Sequence, residues 1–290
     1  MKRDSATRDK QADSGLRNAV FKSLSHKCVA GAASKLSSIV NNDQISPVLI
    51  TRLAVTTPEF EANIRTGICS GTYCPEPIDI ADLRQAFAMF DQATTWEIVV
   101  AAGLETVVRP LLETTDIDIR EFMRHAMATS AGCGVVAESL NLPRAMFVAS
   151  GLFHNIGLAV MAHAHPEKYL SAQLALQGSA TTLEDWEYGE FGFTHEDAGA
   201  MFLAACTMPD AVWSSAGTHH SPEPTSDLLV ASVRVCANVA HQVGCTVGFA
   251  NACGPIHPSL IPDIGLSEAD LGRMAERMGQ AALTAANIAA

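Results

Sequence analysis

The amino-acid sequence predicts an all-α protein, and two observations support that prediction. From about residue 18 onward, apolar residues recur at the three- and four-residue spacing of amphipathic helices, as in Leu83, Ala86, Phe87 and Phe90. No segment shows the convincing alternation of apolar and polar residues that is typical of a half-buried strand. We therefore expect a multi-helix bundle with an N-terminal helical subdomain.

The first part of the chain divides into a tail and a helical region. Residues 1–17 begin with MKRDSATRDKQADSG, which is charged and lacks periodicity, so we expect a disordered tail. Residues 18–112 have the helical spacing and predict the N-terminal subdomain. The segment GTYCPEPID interrupts them, and its Pro75 and Pro77 predict a loop because proline lacks a backbone donor and clashes with the preceding helical turn.

Residues 113–250 predict a second helical region, which we expect to form the core. Its first helix starts near Asp118 and is predicted to break or weaken near Gly132 and Gly134. The remaining predicted helices cover about 143–163, a segment starting near Thr194, about 209–219, and LLVASVRVCANVAHQVG.

Residues 251–290 predict a C-terminal loop followed by a last helix. Ser267 and Asp270 have the spacing of a capping box, in which each side chain bonds the backbone N–H of the other residue. The apolar spacing then continues through LGRMAERMGQAALTAANIAA, so we expect one long terminal helix.

Composition and charge narrow the class of protein. The net charge of −12 argues against a general nucleic-acid binder, because phosphate backbones are held by clustered Lys and Arg. No apolar run reaches the roughly 18 residues of a membrane span, and the N-terminal residues are too polar for a signal peptide. We therefore expect no membrane association and a cytoplasmic location, with the eight cysteines mostly present as reduced, buried thiols.

Histidines are the residues that most suggest a functional site, because several of them could bind a metal ion. A metal site in a helical bundle is assembled from several helices, so its ligands should lie far apart in sequence beside apolar stretches. Taken alone, each of these histidines is more often a hydrogen-bonded core or cap residue than a metal ligand. Glu121 and His125 lie four residues apart and would share a helix face. The histidines with the appropriate setting are His125, His154, His195, His219 and His220.

Other polar residues have plainer interpretations. His163, His165, His241 and His257 lack an apolar helical setting, and we expect them on the surface or in loops. The acidic run EDWEYGE is typical of a solvated helix face.

Five segments in a fixed order then resemble a known family. The segments REFMRHAMA, GLFHNIGL, GFTHEDAGA, MPDAVWSSAGTHH and CANVA are similar to the HD superfamily of helical metal-dependent phosphohydrolases. The more specific resemblance is to its HD-related output domain, HDOD, over about residues 30–245. The segment ICSGTY stands where that family often has Asn-Ser and Tyr-Gly pairs.

The resemblance implies a set of metal ligands. In catalytic relatives, including the HD-GYP enzymes that open cyclic di-guanylate, a Glu and His on one helix, a His-Asp doublet, further histidines and a late Asp surround two or three ions. The positions of this chain that match are Glu121, His125, His154, His195, His219 and His220.

Four departures from that pattern bear on activity. The aspartate of the doublet is replaced by Asn155, and the late aspartate is replaced by Asn238. Leu158 stands where a lysine often follows, and SPEP follows the His219–His220 pair in place of Gly-Tyr-Pro. Bridging carboxylates hold two cations together, whereas asparagine offers only a neutral carbonyl oxygen. The imidazoles that remain suit Fe or Zn.

The resemblance therefore implies a bacterial signal-transduction module that is catalytically degenerate and acts through protein contacts or through ligand or metal sensing. The alternative is a metal-dependent phosphohydrolase or phosphodiesterase acting on a nucleotide or cyclic dinucleotide, with Glu121 as its single carboxylate. An intermediate possibility is a sensor that binds iron or a nucleotide in the same cleft.

A signalling module of this kind needs a partner. No receiver domain, cyclase motif, P-loop or helix-turn-helix pattern is visible in the sequence, so we expect the output to pass through a signalling protein. The loop GTYCPEPID and the apolar helices near 80–112, with Tyr73 and Phe90, are the predicted contact face.

Overall fold

The computed structural model describes residues 2–69, 82–221, 223–249 and 260–288. Regular structure in these ranges is helical and includes no strand, which confirms the all-α prediction. The helices are α1 (Lys2–Leu24), α2 (Lys27–Val40), α3 (Pro47–Ala54), α4 (Pro58–Cys69), α5 (Leu83–Phe87), α6 (Gln92–Leu112), α7 (Ile119–Ser139), α8 (Arg144–Phe153), α9 (Ile156–Ala164), α10 (Pro166–Leu176), α11 (Leu183–Phe191), α12 (His195–Ala205), α13 (Asp210–Ala216), α14 (Leu228–Gln242), α15 (Leu260–Ile264) and α16 (Glu268–Ile288).

The N-terminal segment is a helix, so the prediction of a disordered tail over residues 1–17 is wrong. From Ala12 onward α1 packs on α9 and α12, and Ala19 and Val20 are buried. The Lys22 ammonium donates to the carbonyl oxygens of His163 at 2.9 Å and Ala164 at 3.3 Å, at the end of α9. A cation at this helix terminus satisfies carbonyls that have no partner within the helix.

Helix α6 is central to the bundle. It packs against α2 and α4 on the N-terminal side and against α7, α8 and α9 on the C-terminal side. Its side chains belong to one hydrophobic cluster that runs from Ala19 to Ala285 and so crosses the predicted boundary between residues 112 and 113. The division into 18–112, 113–250 and 251–290 therefore stays a prediction from the sequence. In the structure, residues from all three ranges belong to this one hydrophobic cluster.

Helix α7 runs without a break from Ile119 to Ser139, so a break near Gly132 and Gly134 is excluded, and only the alternative of a weakened helix stays a prediction. A Cβ atom at Gly132 would lie 2.9 Å from the Cys236 sulfur, and one at Gly134 would lie 2.9 Å from the Arg144 guanidinium. The two glycines therefore permit close packing of neighbouring elements. The helix remains continuous because tertiary packing compensates for the low helix propensity of glycine.

The predicted helix over 143–163 is two helices, α8 and α9, separated by a turn at His154 and Asn155. Asn155 has φ −100° and ψ 10°, outside the helical region, at the start of α9. By length and hydropathy the stretch Arg144–Ala164 could span a bilayer, but 89% of its most apolar window is buried inside the protein. It is a core element of the bundle, and the cytoplasmic location remains a prediction.

Several predicted helix starts are confirmed. Helix α12 begins at His195 after a capping box formed by Thr194 and Asp197. At α16 the Ser267 N–H donates to Asp270 at 2.9 Å, and the Asp270 N–H donates to the Ser267 hydroxyl at 3.2 Å. Helix α13 ends at Ala216, so His219 and His220 lie in the turn after it. The GTYCPEPID segment lies outside the described residues.

Candidate metal centre

Three buried histidines of the predicted site have the same orientation towards the backbone. The Nδ1 atom of His125 lies 2.7 Å from the Cys245 carbonyl oxygen, and Nδ1 of His154 lies 2.7 Å from that of Gly151. His219 repeats the arrangement, with Nδ1 lying 2.8 Å from the carbonyl oxygen of Ala216. Because a carbonyl only accepts, each Nδ1 must carry the proton and donate.

This tautomer leaves a lone pair on each Nε2 atom. Burial lowers the pKa of His125 to about 4 and holds the pKa values of His154 and His219 well below their usual range, so these rings are neutral. The Nε2 atoms of His125 and His154 face each other at 3.0 Å. Two lone pairs at this separation repel unless a cation or a proton lies between them.

Asn155 brings its amide to the same place. The turn between α8 and α9 allows the adjacent His154 and Asn155 to face different neighbours in one buried cluster. The Asn155 Oδ1 atom lies 3.1 Å from Nε2 of His219. This contact is satisfied either when the Asn155 amide donates an N–H to the His219 lone pair or when the amide oxygen and the lone pair share a cation. We call His125, His154, Asn155 and His219 the imidazole half of the cluster.

His195 is held by a carboxylate. Both Nδ1 and the backbone N–H of His195 donate to Oε2 of Glu187, at 2.7 and 2.8 Å, and the Tyr169 hydroxyl donates to Oε1 of the same residue. Burial alone would lower the pKa of His195, but the Glu187 carboxylate raises it to about 9. Glu187 is 0% exposed, and these three donors compensate for the burial of its charge.

His220 lies between two further carboxylates. Its backbone N–H donates to Oε1 of Glu196 at 2.7 Å, and its Nε2 lies 3.1 Å from Oε1 of Glu184. Burial raises the pKa of both carboxyls, that of Glu196 to about 7, because the charged form loses its hydration. We call Glu184, Glu187, His195, Glu196 and His220 the acidic half of the cluster.

The two halves adjoin. The ring centroids of His154 and His219 are 4.9 Å apart, those of His219 and His195 are 5.4 Å apart, and those of His219 and His220 are 4.0 Å apart. Potential ligand atoms of His195, His219 and His220 all lie within 4.8 Å of one another. The structure therefore brings all five predicted histidines together, from four different parts of the chain.

The donor set fits a divalent metal. Metal-binding histidines commonly donate the N–H on the far side of the ring to a carbonyl or carboxylate, which fixes the tautomer and directs the lone pair to the ion. His125, His154 and His219 have a carbonyl in this position, and His195 has the Glu187 carboxylate. Imidazole nitrogen suits Zn²⁺ and Fe²⁺, and the carboxylates extend the range towards harder ions.

Comparison with known families identifies one family that this chain matches. The profile described as the HDOD domain matches residues 32–222, about two thirds of the chain. The chain belongs to the HDOD domain family. No functionally curated protein matches this HDOD chain.

Solved structures share the HDOD fold at low sequence identity. A protein from Marinobacter aquaeolei VT8 with a provisional signal-transduction name has TM-score 0.74 and 14% identity, covering 98% of this chain and 66% of its own. An HDOD domain protein of unknown function from Geobacter sulfurreducens has TM-score 0.65 and 15% identity, with 92% and 89% covered. A protein from Shewanella amazonensis SB2B with a provisional phosphohydrolase name has TM-score 0.60 and 15% identity, with 90% and 98% covered.

Two of the positions implied by the HDOD resemblance have other neighbours in the structure. Glu121 lies in the first turn of α7, and its half-buried carboxylate pairs with Arg124 at 2.8 Å. Asn238, in α14, accepts a hydrogen bond from Gln242 at 2.8 Å. The role of Glu121 as a metal ligand therefore stays a prediction, as does the interpretation of Asn238 as a position that has lost an aspartate. Leu158 is fully buried in α9 and packs in the core.

The sequence reasoning missed the carboxylates of the acidic half. The run EDWEYGE was expected to be a solvated face, yet Glu184 and Glu187 turn inward from α11 towards His195 and His220. A signal for Glu187 was its position four residues after the buried Leu183, on the same helix face. His241 was expected at the surface, but it is half-buried and its ring lies 6.1 Å from that of His125.

Proposed function

We propose that this HDOD protein is a signal-transduction module whose buried histidine cluster holds a divalent metal and does not turn over a phosphoester. The observation that carries the proposal is the Asn155 amide, which lies 3.1 Å from Nε2 of His219 where the resemblance implies a bridging aspartate. The amide can offer an oxygen to a cation, but it brings no negative charge to hold two cations close together.

Burial of the cluster supports the same proposal. Five residues of the cluster are each at most 4% exposed, namely His125, His154, Asn155, His195 and His219. A phosphoester substrate has to reach a metal-bound nucleophile, whereas a resident ion needs no wide entrance. Cavities of about 290 and 270 Å³ beside α6 and α8, and one of about 460 Å³ beside α3 and α4, have no cluster histidine in their lining.

The residues have distinct parts in holding an ion. His125, His154 and His219 would ligate through Nε2, and the carbonyls behind them keep the rings in the ligating tautomer. A bound divalent ion would supply positive charge to the cluster. Through its ligands it would link α7, the end of α8 and the turn after α13. Because α7 packs on both α14 and α16, occupancy would affect how the C-terminal helices are held.

The resident metal can be measured directly. We expect elemental analysis of the protein as purified to find stoichiometric iron or zinc, and we expect His154→Ala to lose it. The exposed His26 provides a matched control, and His26→Ala should retain the metal. Equal metal content in the wild type and His154→Ala would contradict the proposal.

Hydrolysis is the second candidate, and the acidic half is the observation that favours it. Three buried or half-buried carboxylates adjoin the histidines and could supply charge that Asn155 lacks. Assays on cyclic dinucleotides and phosphomonoesters with Mn²⁺, Fe²⁺ and Zn²⁺ separate the candidates. We expect no turnover by the wild type. Turnover that disappears in His154→Ala would favour the phosphohydrolase instead.

A further inference from the structure

We propose that the cavity between α6, α7, α8 and α16 is a binding site for a small aliphatic monocarboxylate, whose charged end is held by Arg277. The cavity has a volume of about 290 Å³, and its lining includes no residue of the histidine cluster. The inference goes beyond the proposed function and does not depend on a bound metal.

The apolar wall of the cavity indicates the kind of ligand body that it suits. Three of the wall residues are alanines, whose short side chains leave space between the four helices, and Val148 and Leu152 are buried behind that space. None of the described lining residues is aromatic, so the wall offers no ring for a flat ligand to stack on. An alkyl chain fits this wall. Its apolar residues are Ala101, Met127, Ala131, Val148, Leu152 and Ala281.

The volume of the cavity indicates the size of the ligand. A water molecule occupies about 30 Å³ in the liquid, so a cavity of about 290 Å³ has space for roughly ten water-sized groups. A linear acid of about eight carbons has roughly this number of non-hydrogen atoms. We therefore choose octanoate as the probe.

The two cations that line the cavity differ in their pairing. Arg144 forms a short ion pair with Glu97, and its Nε atom lies 2.7 Å from Oε1 of Glu138. Arg277 has no carboxylate partner among the described residues, although it lines the same cavity. Burial lowers the pKa of Arg144, and the nearby charge of Arg277 lowers it further. A monoanion in the cavity would neutralise Arg277 and reduce this repulsion between like charges.

Exposure of the lining residues sets the orientation of the ligand. Arg277 and Gln280 are exposed on α16, whereas Val148 and Leu152 are buried on α8. A carboxylate would therefore lie at the α16 side, where the guanidinium can donate to both of its oxygens, and the alkyl chain would point towards α8. A phosphate monoester would bring nearly two negative charges beside Glu97, and Arg277 could neutralise only one of them.

The cavity adjoins the helices that carry the imidazole half. Helix α7 contributes both His125 and the lining residue Met127, and α8 contributes Leu152 and ends beside His154. A ligand in the cavity would contact these two helices together with α6 and α16. It would therefore act where a small molecule could change how the N-terminal and C-terminal helices pack on the metal centre.

The test is isothermal titration calorimetry of the full-length, chelator-treated protein with octanoate, and with 1-octanol as the uncharged match. We expect octanoate to bind one to one with a Kd below about 1 mM and 1-octanol to bind at least about tenfold more weakly. Arg277→Gln should weaken octanoate about tenfold and leave 1-octanol unchanged. Arg273→Gln is the matched control, because Arg273 lies one turn earlier on α16, pairs with Asp270 and does not line the cavity.

A second variant tests the location of the ligand. Ala281→Leu fills the cavity and should abolish octanoate binding, whereas Ala275→Leu changes an exposed position of the same helix and should preserve it. Circular dichroism of each variant checks that lost binding does not reflect unfolding. Equal affinity for octanoate and 1-octanol, wild-type affinity in Arg277→Gln or Ala281→Leu, or no saturable binding by the wild type would overturn the inference. Because the protein in this test is free of metal, none of these results bears on the proposed function.

Discussion

The imidazole half and the acidic half of the cluster orient their histidine rings in different ways. In the imidazole half, each histidine is oriented by a backbone carbonyl, and the buried groups are neutral. In the acidic half, His195 is oriented by the buried Glu187 carboxylate, which itself takes three hydrogen bonds. Both arrangements direct Nε2 into the cluster.

The difference shows where the cluster depends on charge. A carbonyl fixes a tautomer without adding charge, so the imidazole half contains no buried ionic group that depends on a charged partner. A buried carboxylate is stable only while its donors are present, because removing one partner leaves an uncompensated charge. The acidic half should therefore be more sensitive to single substitutions, and the imidazole half should respond chiefly through metal affinity.

The largest effect should come from removing the carboxylate that supports the acidic half. Glu187→Ala leaves the Tyr169 hydroxyl and the His195 ring and backbone N–H without their acceptor. We expect a loss of about 3–5 kcal/mol in the free energy of unfolding, measured by urea denaturation of the metal-free protein. Glu190→Ala, at an exposed position of the same helix, should cost less than 1 kcal/mol. Similar losses in the two variants would show that the acidic half does not depend on this buried charge.

The next effect tests how closely the two halves are joined. A Cβ atom at Gly157 would lie 1.8 Å from the His195 carbonyl oxygen and 2.5 Å from the Gly199 nitrogen, so α9 and α12 would have to separate. We expect Gly157→Ala to cost about 1–3 kcal/mol of unfolding free energy and to reduce metal content. Gly272→Ala is the control, since Gly272 is exposed in α16 with nothing within 4 Å. It should stabilise the protein by about 0.5–1 kcal/mol. An unchanged midpoint of urea unfolding for Gly157→Ala would mean that α9 and α12 are not tightly packed at this contact between the halves.

The contrast between the halves also explains which parts of the site could be predicted from the sequence. The imidazole half follows from helical spacing and from the HDOD resemblance, because its histidines lie inside apolar runs that must be buried. The helix starts at Thr194 and Ser267 were predictable because capping depends on residues three positions apart. These signals are local and survive in a single sequence.

The carboxylates of the acidic half could not be predicted in the same way, although its two histidines could. Burial of Glu187 depends on Tyr169 and His195, which belong to other segments, so the run EDWEYGE is indistinguishable by composition from a solvated face. The break at His154 and Asn155 also lacks a local signal, since neither proline nor an N-cap hydrogen bond marks it. At Gly132 and Gly134 the local signal was present but tertiary packing overrode it.

A substitution that makes the two halves more alike should have an intermediate effect. Asn155→Asp introduces a carboxylate at the position that faces His219 in the imidazole half. We expect Zn²⁺ affinity, measured by competition with a chromogenic chelator, to rise about tenfold, which corresponds to about 1.4 kcal/mol. Asn141→Asp changes the same atoms at an exposed site and should leave the affinity unchanged. Equal affinities for wild type and Asn155→Asp would indicate that this side chain does not face the ion.

The smallest effect should come from the outermost donor of the acidic half. Tyr169→Phe removes the hydroxyl that donates to Glu187 but leaves the two donors from His195 in place. The carboxylate stays partly satisfied, so we expect a loss of about 1 kcal/mol in unfolding free energy, well below that of Glu187→Ala. Tyr188→Phe, at a side chain that is 67% exposed on α11, should cost nothing measurable. A loss for Tyr169→Phe as large as that for Glu187→Ala would show that the tyrosine, and not His195, is what makes burial of this charge tolerable.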